Sequence, residues 1–304
     1  MTEGNMSKEG YIYGEWRKAV NFAELRGTPG FPGMGQPRQV TTVGSIHDNE
    51  TAKNVGMRGA VVAGTQHLDL FPPVLLKTFG QRCFESGSIS MYYTYAVLHG
   101  EELRAVVQVP PKAARDIQVE ARLELRDGHV VAQGTVSAGN PKEKSYIQAM
   151  KLESSPREER RILKELEVGD EMPPRDELAE STVQRKWVPF LEDSVDWHSG
   201  KSPWGNIIVP PSRQMQMMRF ELPVHPPGVG FFGATEIRYV NGPVKADVAY
   251  QVKSKIIAAG VTSKTEYWWT DSQLYEKASN KLVAQMRHMT RYMKAGSPLY
   301  PEVK

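Results

Sequence analysis

The sequence predicts an α+β fold built twice. Three observations carry this reading: an ordered internal repeat, strand-period alternation of apolar residues, and one apolar helical stripe ahead of each strand set. Gly59-Ala-Val-Val-Ala-Gly64, Ser88-Ile-Ser-Met-Tyr92, Val97-Leu-His-Gly100 and Val131-Ala-Gln133 recur in the same order as Asn206-Ile-Ile-Val-Pro-Pro211, Thr235-Glu-Ile-Arg-Tyr239, Val240-Asn-Gly242 and Val283-Ala-Gln285. The offsets from 61 to 207, 100 to 242 and 131 to 283 are 146, 142 and 152. A duplicated unit with small loop insertions gives such near constancy.

Within the first unit, Ile117, Val119, Ala121, Leu123 and Leu125 alternate with Gln118, Glu120, Arg122, Glu124 and Arg126. That period of two marks a half-buried antiparallel strand. Asp127-Gly128 is a two-residue hairpin signal, and the chain returns through residues 130–136. The second unit repeats the pattern over 246–257, 266–274 and 282–293, with a longer turn at 276–280. Ahead of the first strand set a helix starts near Thr65 and carries Leu68, Phe71, Leu75, Leu76 and Phe79, bent or broken by Pro72-Pro73. Ahead of the second, Ser212 is the expected N-cap, followed by Met215, Met217, Met218 and Phe220 as core filling. Trp268 and Trp269 are adjacent in a strand, so their rings face opposite sides of the sheet.

Four segments follow. Residues 1–38, crowded with Gly and Pro, read as an N-terminal arm; 39–140 form the first unit; 141–186 form a charged connecting arm; 187–304 form the second unit. Ile162, Leu163, Leu166 and Val168 predict one short amphipathic helix in the connecting arm, ended by Pro173-Pro174, with the charges on a solvated face.

Composition narrows the function. The 304 residues are 40% hydrophobic and 24% charged, with 38 Lys+Arg against 35 Asp+Glu, a net charge of +3. Such a balance argues against a nucleic-acid footprint over the whole surface, so no nucleic-acid partner is expected. A single cysteine, Cys83, excludes an intrachain disulfide and a Cys-rich metal site, and favours a reducing, cytoplasmic compartment. Neither a signal-peptide stretch nor a run of 18 apolar residues occurs, so no membrane association is expected. The seven histidines show no HExxH spacing, and neither GxxxxGK[ST] nor GxSxG is present. No metal and no cofactor is expected.

The stretch from Ile46-His-Asp-Asn-Glu-Thr-Ala through Gly59-Ala-Val-Val-Ala-Gly64 resembles the segment leading into the central helix of MaoC-like dehydratases, the (R)-specific enoyl-CoA hydratases of the hotdog fold. The order of helix and long strands is similar to a hotdog, and the repeat is similar to a double hotdog. The resemblance implies a hydratase or dehydratase acting on an acyl thioester, CoA-linked in that family, or on a related enoyl compound. A hotdog thioesterase and a non-catalytic acyl-thioester-binding subunit are the alternatives. It also implies that His47 holds or activates water, and that the backbone at Gly64 and Thr65 stabilises the thioester oxygen. The pattern Asp-x-Asn-Pro-x-His is not kept: Thr42, Gly44 and Ser45 stand in the Asp, Asn and Pro places. Asp48, beside His47, is the candidate substitute.

In the second unit, Asp193 and His198 have the Asp-x4-His spacing, with 13 residues from His198 to Pro211 against 17 from His47 to Gly64. These form the second candidate pair. His67, three residues past Gly64, is a candidate pocket residue, and Arg58 a candidate for the carrier's phosphates together with Lys53. His129 and His225 are expected at the surface. Apolar content in Trp268, Trp269 and the Met segment predicts self-association, as a homodimer or higher oligomer.

Overall fold

The computed structural model describes residues 10–22, 24–25, 29–31, 44–111, 115–220, 222 and 226–303. Among them eleven strands share one antiparallel sheet. They are β1 (Tyr11–Tyr13), β2 (Arg17–Lys18), β3 (Gly87–Tyr93), β4 (Glu102–Gln108), β5 (Ile117–Leu125), β6 (Val130–Ala138), β7 (Arg175–Leu178), β8 (Gly230–Tyr239), β9 (Ala249–Val261), β10 (Thr265–Glu276) and β11 (Lys281–Met293). The strand order is β1-β4-β5-β6-β3-β8-β11-β10-β9-β7, with β2 also paired to β4. The sets β4-β5-β6-β3 and β8-β11-β10-β9 mirror each other across a seam where β3 pairs with β8, from Gly87 opposite Tyr239 to Tyr92 opposite Ala234.

Apolar alternation positions these strands as expected. Along β5 every odd position from Ile117 to Leu125 is buried. Leu125 N–H donates to the His129 carbonyl at 2.8 Å, and Gly128 takes φ +94°, a value L side chains rarely adopt. Trp268 and Trp269 do face opposite sides. Trp268 packs with Ile162, Leu163, Phe220 and Tyr300, and Trp269 with Ile147, Ala234 and Met289.

The helices are α1 (Asn49–Asn54), α2 (Phe71–Phe79), α3 (Arg82–Glu85), α4 (Tyr146–Ala149), α5 (Ser181–Trp187) and α6 (Pro211–Met218). A tight 3-10 turn, Gln66–Leu70, runs directly into α2. Pro72 and Pro73 open α2 instead of breaking it, because first-turn N–H groups need no intrahelical acceptor. Ser212 is not the N-cap of α6. Pro210 stands at that position, and Ser212 sits inside the first turn with its N–H and hydroxyl on the Asp69 carboxylate, at 2.9 and 2.6 Å.

The connecting arm departs from its expected helix. Glu266, fully buried in β10, accepts the N–H groups of Arg161, Ile162 and Leu163 at 2.7, 2.9 and 2.7 Å, and the Tyr300 hydroxyl at 2.5 Å. A carboxylate that captures three successive N–H groups holds them in a turn, so Ile162 and Leu163 are buried without helical structure. The arm then adds β7 to the edge of β9. The N-terminal segment adds β1 and β2 to β4 at the other end. Trp268, Trp269, Met215, Met217 and Met218 are all buried within the single chain. Their apolar surface is therefore used internally and gives no argument for self-association. Among the described residues no helix is long and apolar enough to cross a membrane.

Gly134 of β6 lies where β3 approaches most closely. A Cβ there would stand 1.8 Å from the Ser90 carbonyl oxygen, a backbone atom with nowhere to go. Gly134→Ala is expected to cost at least the ~1–3 kcal/mol typical of overpacking, read as a lower urea midpoint at unchanged m-value.

Candidate functional site

One local device appears twice. In the first unit, Val61 N–H donates to the Ile46 carbonyl at 2.8 Å, Val62 N–H donates to Val97 at 2.8 Å, and His47 Nδ1 donates to the Val61 carbonyl at 2.5 Å. In the second, Ile208 N–H donates to Trp197 at 2.8 Å, Val209 N–H to Val244 at 2.9 Å, and His198 Nδ1 to Ile208 at 2.9 Å. Each histidine is thus clamped by the turn that leads into its central helix. A carbonyl on Nδ1 leaves Nε2 as the lone-pair nitrogen of the neutral ring. The register also corrects the repeat: Val97 corresponds to Val244 at an offset of 147, not to Val240.

The two copies differ in what surrounds them. His47 is partly exposed, whereas His198 is fully buried and its Nε2 has no partner. Burial pushes the His198 imidazole down to about 4, against a smaller upward effect of its bond to Ile208. At the following helix start the first unit offers the N–H groups of Gly64 and Thr65, neither of which has a hydrogen-bond partner among the described residues. The second unit has Pro210 and Pro211, which carry no N–H, and the Ser212 N–H is taken by Asp69. Tyr93 lies against Gly64, where a Cβ would come within 3.1 Å of its ring.

The helix starts also meet each other. Asp69, buried in the first unit's 3-10 turn, holds Ser212 of α6, and His67 of the same turn binds Glu192 through Nδ1, 2.7 and 2.9 Å from the two carboxylate oxygens. Glu192 belongs to the lead-in of the second unit, and its side chain is 0% exposed against 3% for His67. Residues 17–21 lie over this junction. Arg17 reaches Asp193 at 3.3 Å, the Gln66 amide donates to the Val20 carbonyl at 2.9 Å, and the Asn21 amide donates to the His47 carbonyl at 3.3 Å.

No protein-family model matches the sequence, and no curated protein matches it significantly. Solved structures do. A protein from Chloroflexus aurantiacus J-10-fl, described as a MaoC domain protein dehydratase, superposes with a TM-score of 0.59 at 10% identity, covering 95% of this chain and 96% of that chain. A Mycobacterium tuberculosis protein described as having a double hotdog fold superposes with a TM-score of 0.56 at 12% identity, covering 95% and 97%. The fold is a double hotdog.

Within this double hotdog the other expected residues find definite places. Asp48 is the N-cap of α1: its carboxylate accepts the Thr51 N–H at 2.8 Å, a bond that holds its pKa below the ordinary aspartate value. That carboxylate has no bond to His47. Asp193 accepts the Ser194 N–H at 2.9 Å and pairs with Arg17, and it has no bond to His198. Arg58 is held bidentately by Glu101 at 2.8 and 2.9 Å and lies over the Tyr95 ring. His129 is exposed and stacks on Tyr95, while Thr42 and His225 lie outside the described residues. No group of three or more metal-ligating side chains occurs among the described residues.

Sequence reasoning missed Glu192. It adjoins Asp193 but belongs to no motif, and only the fold brings it to His67, 125 positions away. A groove of about 530 Å³ on the outer face of the second unit shares none of these residues. Its floor carries Lys255, Asp271, Arg287 and Glu236 as successive cross-strand neighbours, an alternating-charge sheet face.

Burial raises the Asp69 carboxyl to about 7, against the opposing bonds from Ser212. An unfolded aspartate titrates near 3.9, so between about 4 and 7 the folded chain holds the extra proton. The stability from this group is therefore full below about 4 and is lost as pH rises to about 7. In unfolding measurements from pH 4 to 8, the difference between wild type and Asp69→Asn should fall with a slope of up to ~1.4 kcal/mol per pH unit. A difference that stays flat contradicts the assignment.

Proposed function

We propose that this double hotdog is a hydratase or dehydratase of an acyl thioester, with its working site in the first unit. The observation that carries the reading is the asymmetry between two copies of one device. His47 is partly exposed and clamped to a turn that leads to N–H groups with no partner among the described residues, whereas His198 is buried and the corresponding turn of its unit leads to two prolines.

The chemistry follows from the groups. Adding water to an enoyl thioester needs a base for the water's proton and stabilisation of the charge that develops on the thioester oxygen. His47 Nε2 is the base, because Nδ1 is committed to the Val61 carbonyl. Gly64 and Thr65 N–H groups at the start of a helical run receive the oxygen, where the helix dipole adds to their donors. Gly64 leaves no side chain between the thioester and that backbone. His67 lines the same turn. The roles that remain for Asp48 and Asp193 are positional, one capping α1 and one holding Arg17 over the junction.

His47→Ala is expected to lower hydration by about two to four orders of magnitude, the usual range for losing a general base. The assay is loss of enoyl absorbance across a panel of enoyl-CoA thioesters, with free-thiol release followed in parallel. Thiol release without hydration would make the chain a thioesterase. Binding of a thioester without either reaction would make it a carrier-binding subunit.

A further inference from the structure

Among the described residues, three histidines of the interior have an Nε2 with no partner: His67, His198 and His288. A buried polar atom left unpaired costs about 1–3 kcal/mol, so each needs a reason. The partners on their other nitrogens separate them. His198 Nδ1 meets a neutral carbonyl and His288 Nδ1 meets the Thr235 hydroxyl, each at 2.9 Å. Neither partner has a charge with which to balance an imidazolium, and burial depresses both rings, to about 4 and about 3. His67 alone of the three meets a carboxylate, with both Glu192 oxygens within 2.9 Å of Nδ1.

The position of His67 matters as much as its partner. Its N–H closes a tight turn on the Gly64 carbonyl at 3.2 Å, and in such a turn residues three apart stand on the same side. The imidazole therefore belongs to the turn whose first N–H groups have no partner among the described residues. Its orienting carboxylate comes from the other unit, and Asp69, Ser212 and Arg213 complete the charged and polar groups at this junction.

We propose that His67 is a second acid–base group of the first unit's site, acting at the carbon next to the thioester carbonyl, and that Glu192 is the positioning residue that orients it and balances its charge. This rests on the hydratase reading above. In the hydration direction water oxygen bonds to the β-carbon, its proton passes to His47 Nε2, and the electron pair of the C=C bond moves onto the thioester oxygen. The enolate then collapses, and protonated His67 delivers the proton from Nε2 to the α-carbon. One proton has left water and one has reached carbon. His47 returns its proton through solvent, His67 regains one, and the enzyme is unchanged. The carboxylate on Nδ1 serves as in any carboxylate–imidazole pair, fixing the tautomer and stabilising the cation.

The two half-reactions can be read apart. With a short saturated acyl-CoA in D₂O, mass spectrometry follows exchange of the α-hydrogen, which needs the group at the α-carbon and the oxyanion donors but no base for water. His67→Gln is expected to lower exchange by about two to four orders of magnitude, whereas His47→Ala should lower hydration over the same range and keep exchange. Glu192→Gln should lower kcat at nearly constant KM, and Glu192→Asp should recover part of the loss. Wild type that hydrates an enoyl thioester while His67→Gln exchanges at the wild-type rate overturns this inference alone. Wild type that neither hydrates nor exchanges any thioester overturns the hydratase reading, and this inference with it. If His67→Gln does not fold, the ¹⁵N shifts of the wild-type His67 ring are measured with a non-reactive thioether analogue of acyl-CoA. A shift on binding supports the assignment, and unchanged resonances overturn it.

Discussion

The antiparallel pairing of β3 with β8 is the constraint on which the rest depends. Each strand would otherwise be the exposed edge of its own half-sheet, and joining them removes both edges at once. The same pairing fixes how the two central helices meet. With the seam set from Gly87–Tyr239 to Tyr92–Ala234, the 3-10 turn before α2 comes against the first turn of α6, and Asp69 reaches Ser212. His67 reaches Glu192 across the same junction. These two buried contacts are therefore a product of the fold's two-fold repetition, since neither unit alone contains both members of either pair.

The two units share one part of this device and differ in the next. The clamp of a histidine Nδ1 on a strand-end carbonyl persists in both units, together with the backbone bonds that shape it. The residues just beyond it diverge. Gly64 and Thr65 stand at the positions of Pro211 and Ser212, and His67 stands where the second unit has Gln214, each with one buried atom that has no partner. Proline has no N–H to offer, so backbone donors are present at Gly64 and Thr65 and missing at Pro211.

Much of this was legible in the sequence. Strand alternation along 117–125, the Asp127-Gly128 turn and the opposed faces of Trp268 and Trp269 follow from local periodicity, which is set by backbone geometry alone. The repeat and the helix after Gly64 were equally visible. What stayed hidden depends on distant partners. A short helix at 162–168 is a reasonable local preference, but Glu266 captures its N–H groups from a strand a hundred positions later. Ser212 is a good N-cap by type, yet Asp69 of the other unit claims its hydroxyl. Within the candidate site, spacing identified His47 and His198 as counterparts, while Glu192 carried no sequence signal because its significance lies in a contact between units.

The proposed function puts one working acyl site in each chain, at Gly64. The most direct measurement is a crystal structure with a non-reactive thioether analogue of acyl-CoA. One analogue per chain is expected, its carbonyl oxygen about 2.7–3.1 Å from the Gly64 or Thr65 nitrogen. An analogue seated at Pro211, in the outer groove, or at both helix starts would contradict it.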